Sequence, residues 1–291
     1  VTPATLYDIL GTAAERAGLK PVAIKAYAAA YTASRGRTRK VYEERLRSLG
    51  APPPTPAATL ARRPLATYLL GAVLALAYLV QVLADEYVGL LSVGGQGIHA
   101  SSVVAAFVQG IPGVPDANAW WRYLTYAFIH GSILHIGLNV WVLLDIGRLY
   151  ERRRGWGDLL AAFTLGTAAG ALATTIFQAG QPLVLLGASG GILGVAGALL
   201  AEAALSRSAS DRLLLRSLLQ WIALLLVFSI AIPGVSLWGH VGGIVGGFVY
   251  GAVRLRSGVG QRFSQAAGWF CAGLLALAVI SALTSVVPLL P

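Results

Sequence analysis

Residues 185–200 read LLGASGGILGVAGALL, and two architectures compete for them. Gly187-Ala188-Ser189-Gly190-Gly191 fits G-x-S-x-G, the strand-to-helix elbow that exposes a nucleophilic serine in soluble α/β hydrolases. The five residues before it, PLVLL, resemble a buried strand, and the small apolar run after it resembles the start of a helix. The other reading makes the whole stretch part of a membrane helix. Composition decides between them. Of 291 residues 56% are hydrophobic and only 12% are charged, and the mean hydropathy is +0.70. Soluble domains carry about 25% charged residues, so this chain is expected to be an all-α polytopic membrane protein.

The long apolar runs agree. A helix needs about 20 mostly apolar residues to cross a bilayer. Seven segments qualify, at about 65–84, 123–149, 157–179, 185–204, 213–232, 236–255 and 267–289. An open strand edge is not tolerated in lipid, so PLVLL reads as part of a hairpin turn between helices and the esterase elbow falls away.

Residues 1–64 are different in kind. They hold 11 of the 22 Lys/Arg and 4 of the 12 Asp/Glu, a net charge of +7. Residues 1–50 have helical periodicity, and the stretch 51–64, rich in proline, reads as a linker. The cluster RGRTRK reads first as a solvated cytosolic face and second as a contact for anionic lipid. No recognition motif accompanies it, so no nucleic-acid partner is expected. The chain has no methionine, so its first residue reads as the product of processing or trimming. The first apolar run comes too late for a secretory signal. Cys271 is the single cysteine, which excludes an intramolecular disulfide and a cysteine-built metal site. Neither metal nor cofactor is expected.

Orientation follows from charge between the apolar runs. Residues 85–118 have acidic residues and no Lys or Arg, while 151–157 contain three arginines. Residues 179–182 are uncharged, 205–216 hold Arg207, Arg212 and Arg216, 232–235 are uncharged, and 254–262 hold Arg254, Arg256 and Arg262. Basic loops face the cytoplasm. The alternation puts the N-terminus inside and the C-terminus outside, and the expected location is a prokaryotic cell membrane.

Polar side chains inside spans are costly and point to function. The second span carries His130, His135 and Asn139, the fourth opens at Ser189, and the sixth opens near His240. His135 and Asn139 lie about 40° apart on one helix face, with His130 about 140° away from His135. By topology, Ser189, His240, His130, His135 and Asn139 share one level, towards the outer face. Gly190, Gly194 and Gly197 form a small ridge, and His240, Gly243 and Gly247 recur at i, i+3 and i+7. Such faces let helices approach closely and would bring Ser189 to His240. A neutral imidazole beside a serine takes its proton and permits attack on a carbonyl. His135, Asn139 and the Ser189 N–H are candidate donors to the oxyanion.

WWRYLTYAFIHGSILHIGLN, GASGGILGVAGALL and GHVGGIVGGFVYG together closely resemble the rhomboid intramembrane serine proteases. The matching pieces are Trp121-Arg122, the His-x4-His-x3-Asn pattern at 130, 135 and 139, Gly187-x-Ser189-Gly190, and His240 followed by Gly243 and Gly247. YERRRG at 150–155 is similar to the family's short cytoplasmic loop. The resemblance spans residues 65–256 as a six-helix core, with 257–291 as a basic loop and an added seventh helix of the six-plus-one type. It implies a Ser189–His240 dyad without aspartate, an oxyanion hole from His135, Asn139 and Ser189, and a structural role for His130 through a hydrogen bond into the outer loop 85–122. It also implies single-span transmembrane substrates, cleaved near the outer face. One departure stands out. Many members have an aromatic residue four after the serine, beneath the histidine, and this chain has Leu193.

Two other functions compete. A non-catalytic rhomboid-like protein would bind and guide transmembrane clients, but such relatives typically lack the serine or the histidine. A transporter site is expected near the midplane between repeats, whereas these residues cluster towards one face and no repeat is visible.

Overall fold

The computed structural model describes all residues except 1, 2, 35, 54–62, 86–89, 94, 95, 100–118, 179–183, 207, 233, 259 and 287–291. Most of the proline-rich linker and most of the outer loop therefore lie outside the described residues. The chain divides into two compact units, Val1–Ala61 and Arg62–Pro291.

The first unit contains α1 (Pro3–Arg16), α2 (Lys20–Ala33) and α3 (Gly36–Ser48). They pack around Tyr27 and Leu46, both fully buried. The Tyr27 hydroxyl donates to Glu15 at 2.8 Å and accepts from Arg45 at 3.0 Å. Arg45 also reaches Asp8 at 3.1 Å, tying α3 to α1. A core this small is marginal alone, and this polar network adds directional links.

The second unit starts with α4 (Leu65–Asp85). A two-stranded antiparallel hairpin follows, β1 (Leu90–Val93) and β2 (Gln96–His99), with Leu90 opposite His99. The all-helical reading does not anticipate it. Next come α5 (Arg122–Thr125) and a 3-10 turn, Tyr126–Phe128. The second span is α6 (Ile133–Val142), a π turn (Leu143–Gly147) and α7 (Arg148–Arg154). The remaining spans are α8 (Trp156–Phe177), α9 (Ser189–Leu205), α10 (Ala209–Ala231), α11 (Leu237–Arg256) and α12 (Gln261–Val286).

The second span differs from its sequence expectation of 123–149. The chain is extended at Ile129 and begins a new helix at Ile133, because Ser132 caps it by accepting from the His135 N–H at 3.2 Å. His130 therefore precedes the helix and does not sit on its face.

Five of these spans are long and apolar enough to cross a membrane: Leu65–Leu83, Ile133–Arg154, Trp156–Phe177, Asp211–Ala231 and Gln261–Ser285. Their outward side chains are bare apolar groups, among them Leu69, Leu76, Trp141, Ile176, Ile230 and Trp269. That surface belongs in lipid, and the protein is an integral, multi-pass membrane protein. The other two expected spans are α9, with 17 residues, and α11, which is interrupted by glycines and His240. They sit at the centre, where protein replaces lipid.

Three helices form this centre, α8, α9 and α11. A Cβ on Gly247 or Gly243 would collide with the carbonyl of Gly194 or Gly190, and one on Gly242 would lie 2.5 Å from the Ala169 carbonyl. A Cβ on Gly166 would come within 2.5 Å of the Gly194 Cα. The backbones therefore touch, which only small residues allow. Buried polar groups tie the outer helices to this centre. Glu151 on α7 accepts from the Ala66 and Thr67 amides and the Thr67 hydroxyl, capping α4. Asp158 on α8 is fully buried and accepts from Tyr250 at 2.6 Å and Arg254 at 2.9 Å on α11, and from Ser264 at 2.7 Å on α12. Arg153 bonds both Glu202 at 3.0 Å and Asp211 at 2.7 Å. These ionic groups gather at the end of the core opposite Ser189.

Candidate active site

At the other end, α8, α9 and α11 carry no Asp, Glu, Lys or Arg. Ser189 opens α9 and His240 lies in the first turn of α11, so the glycine seam sets their separation. The His240 Nε2 and Ser189 Oγ are 2.8 Å apart. Ser236 caps α11 by accepting from the Gly239 N–H at 3.0 Å, which fixes where His240 leaves the backbone. Ser189 occupies the first position of its helix, where backbone N–H groups lack intrahelical acceptors. That end of a helix favours developing negative charge.

Gly187 has φ +105°, a left-handed conformation suited to glycine, and its N–H donates to the Tyr126 carbonyl at 3.0 Å. A Cβ there would lie 2.6 Å from His135 Cε1, 2.7 Å from His135 Nε2 and 3.7 Å from Asn139 Nδ2. Both side chains therefore converge on the backbone just before Ser189. Asn139 is buried and its Nδ2 has no hydrogen-bond partner among the described residues. A buried amide donor left unpaired is costly, and a ligand oxygen would satisfy it.

His130 is fully buried. Its Nε2 accepts from the Ala188 N–H at 3.3 Å, next to Ser189. Its ring meets that of His135 edge-on, with centroids 5.0 Å apart. The bond to the outer loop expected of His130 would fall largely outside the described residues. Gln81 on α4 holds the His130 backbone at both ends: its Oε1 accepts from the amide at 3.0 Å and its Nε2 donates to the carbonyl at 2.8 Å. Sequence reading misses Gln81, which sits near the end of an apolar helix with no partner in view.

Gly190 faces the Tyr126 hydroxyl, which donates to the Thr167 carbonyl at 2.9 Å. Leu193 is buried in the apolar core, and among the described residues no aromatic ring pairs with His240. A second serine meets that ring instead. Ser229 on α10 lies with its Oγ 2.6 Å from the His240 Nδ1. Nothing in the sequence distinguishes Ser229 from a filler serine.

With this geometry in view, residues 117–257 match the Rhomboid domain family model. The chain is 31% identical over 159 residues to "Rhomboid protease GluP" of Bacillus subtilis, covering 55% of this chain and 31% of that protein. It is 30% identical over 176 residues to "Rhomboid-related protein 3" of Homo sapiens, covering 56% and 43%. With "Rhomboid-like protease 2" of Toxoplasma gondii it shares 32% over 147 residues, covering 50% and 51%. The matched part spans about a third to a half of the length of these relatives.

Proposed function

The chain belongs to the rhomboid family, and from that premise we propose that it is an intramembrane serine endopeptidase acting through Ser189 and His240. The observation that carries this reading is the 2.8 Å approach of His240 Nε2 to Ser189 Oγ. Proton transfer needs that distance. His240 takes the hydroxyl proton as Ser189 Oγ attacks the scissile carbonyl carbon. The carbonyl oxygen becomes an oxyanion held by the Ser189 N–H, the unpaired Asn139 amide and His135. His240 then gives the proton to the leaving amine as the C–N bond breaks, leaving an acyl-enzyme. Water, deprotonated by His240, hydrolyses the ester and frees Ser189. No step calls for a metal or cofactor.

Single-span membrane proteins with small residues near the outer boundary are the proposed substrates. The N-terminus is assigned to the cytoplasm and the C-terminus to the outside, with residues 65–256 as the catalytic core, 257–291 as an added scaffold helix, 51–64 as linker and 1–50 as a cytoplasmic segment. The host is assigned as a prokaryotic cell membrane.

The test uses the full chain in liposomes with a fluorescent single-span substrate. Wild type is expected to cleave it, while Ser189→Ala and His240→Ala do not. Cleavage surviving Ser189→Ala would remove Ser189 as nucleophile. Folded protein inactive on a substrate panel would favour a client-binding role.

A further inference from the structure

The geometry points to Ser229 as a positioning residue that fixes the tautomer of His240, an inference that rests on the reading of Ser189 and His240 as the reacting pair. Ser229 sits on α10, outside the glycine-sealed centre, and is 4% exposed. Its hydroxyl donates to the Leu225 carbonyl at 2.8 Å, one turn back. A serine has one hydroxyl proton, and this one is committed to that carbonyl. Towards His240 Nδ1, 2.6 Å away, the Ser229 oxygen therefore accepts. A neutral imidazole has one N–H and one lone pair. With the N–H directed at Ser229, the lone pair lies on Nε2, facing the Ser189 hydroxyl 2.8 Å away.

In the Ser-His-Asp triad the orienting group is a carboxylate, which also balances the charge of the imidazolium. Ser229 is neutral. It supplies direction and one hydrogen bond, which strengthens when its donor becomes charged. Among the described residues nothing else bonds Nδ1. Its loss leaves a buried N–H without a protein acceptor, and the other tautomer, with the proton on Nε2, competes. In that tautomer His240 cannot accept from Ser189.

The test compares wild type with Ser229→Ala, Ser229→Thr and Ser229→Val in liposomes, each checked for folding by its thermal transition. Ser229→Ala is expected to lower kcat about 10- to 100-fold with KM within twofold. Threonine, which keeps the hydroxyl, should restore kcat to within about threefold, and valine should not. The rate at which a fluorophosphonate probe labels Ser189 should fall in parallel with kcat. Separately, nitrogen NMR of histidine-labelled Ser189→Ala protein reads the ring without any chemistry. His240 should be a single Nδ1–H tautomer there, and adding Ser229→Ala should shift or mix it. An unshifted His240 signal, or full kcat in Ser229→Ala, would overturn the inference. If the tautomer shifts as expected but Ser189→Ala still cleaves substrate, the positioning bond stands and the assignment of Ser189 as nucleophile fails.

Discussion

On the Ser189 side of His240, helices α9 and α11 meet backbone to backbone along Gly190, Gly194, Gly243 and Gly247. On the Ser229 side, one side-chain bond crosses from α10, whose outward residues Val227, Phe228 and Ile230 are more than half exposed. The first flank allows almost no adjustment, because closing or opening the seam means moving whole backbones. The second can be made or lost by turning one hydroxyl. The Ser189–His240 distance is thus built into main chain, while in the proposed mechanism the proton arrangement rests on a helix whose outer face is apolar. Placing α10 there costs little, since its outer face needs only apolar groups.

Breaking the first flank should have the largest effect. Gly247→Ala puts a methyl group into the Gly194 carbonyl; overpacking of this kind costs about 3 kcal/mol or more when backbone must move. Unfolding in mixed micelles should register that loss, together with loss of cleavage, and wild-type stability would mean the seam is looser than its geometry. Next in size is Asn139→Ala. Removing one oxyanion donor costs about 2.7–4 kcal/mol of barrier, so kcat should fall roughly 10²- to 10³-fold at unchanged stability. An unaltered rate would take Asn139 out of the site. Gln81→Leu strips both bonds from the buried His130 backbone and should destabilise by about 1–3 kcal/mol, read in the same unfolding assay. The smallest change sharpens the second flank: Ile230→Ala, one residue from Ser229 but 72% exposed, should stay within about 0.5 kcal/mol of wild type with normal kcat. A tenfold loss there would mean that substrate rests on the outer face of α10.

Much of this was legible in the sequence, for identifiable reasons. Gly190, Gly194, Gly243 and Gly247 recur at helical spacing, and spacing is what a helix interface is made of. His135 and Asn139 share a face because they are four residues apart. The basic clusters at 151–157, 205–216 and 254–262 mark one end of the core, where Arg153 and Arg254 find their carboxylates. Other features carry no periodic signal. Ser229 reaches His240 across a turn between helices, and its own bond to Leu225 makes it look like any serine in a membrane helix. Gln81 acts on main chain, which no residue pattern reveals. The break at Gly131-Ser132 did leave a trace, a serine three residues before His135 in capping position, but the apolar run hid it. The hairpin left a fainter one, the pair Gly94-Gly95 between Leu90–Val93 and Gln96–His99, but Gln96-Gly97-Ile98-His99 is not a strand-like apolar run.

The knot at Asp158 has a consequence in time. Its partners arrive in order of synthesis: Tyr250 and Arg254 first, and Ser264 last, 106 residues after the carboxylate. At about 5–20 residues per second, Asp158 waits roughly 5–20 s for its last partner. Until then α8 carries a buried carboxylate without its full set of donors, and the Gly157 surface that Ser264 and Gly268 cover lies bare. The helix from Gln261 is thus a latch that closes after α8 and α11 are already in place, and a nascent chain halted before it would hold Ser189 and His240 yet lack this brace of its core.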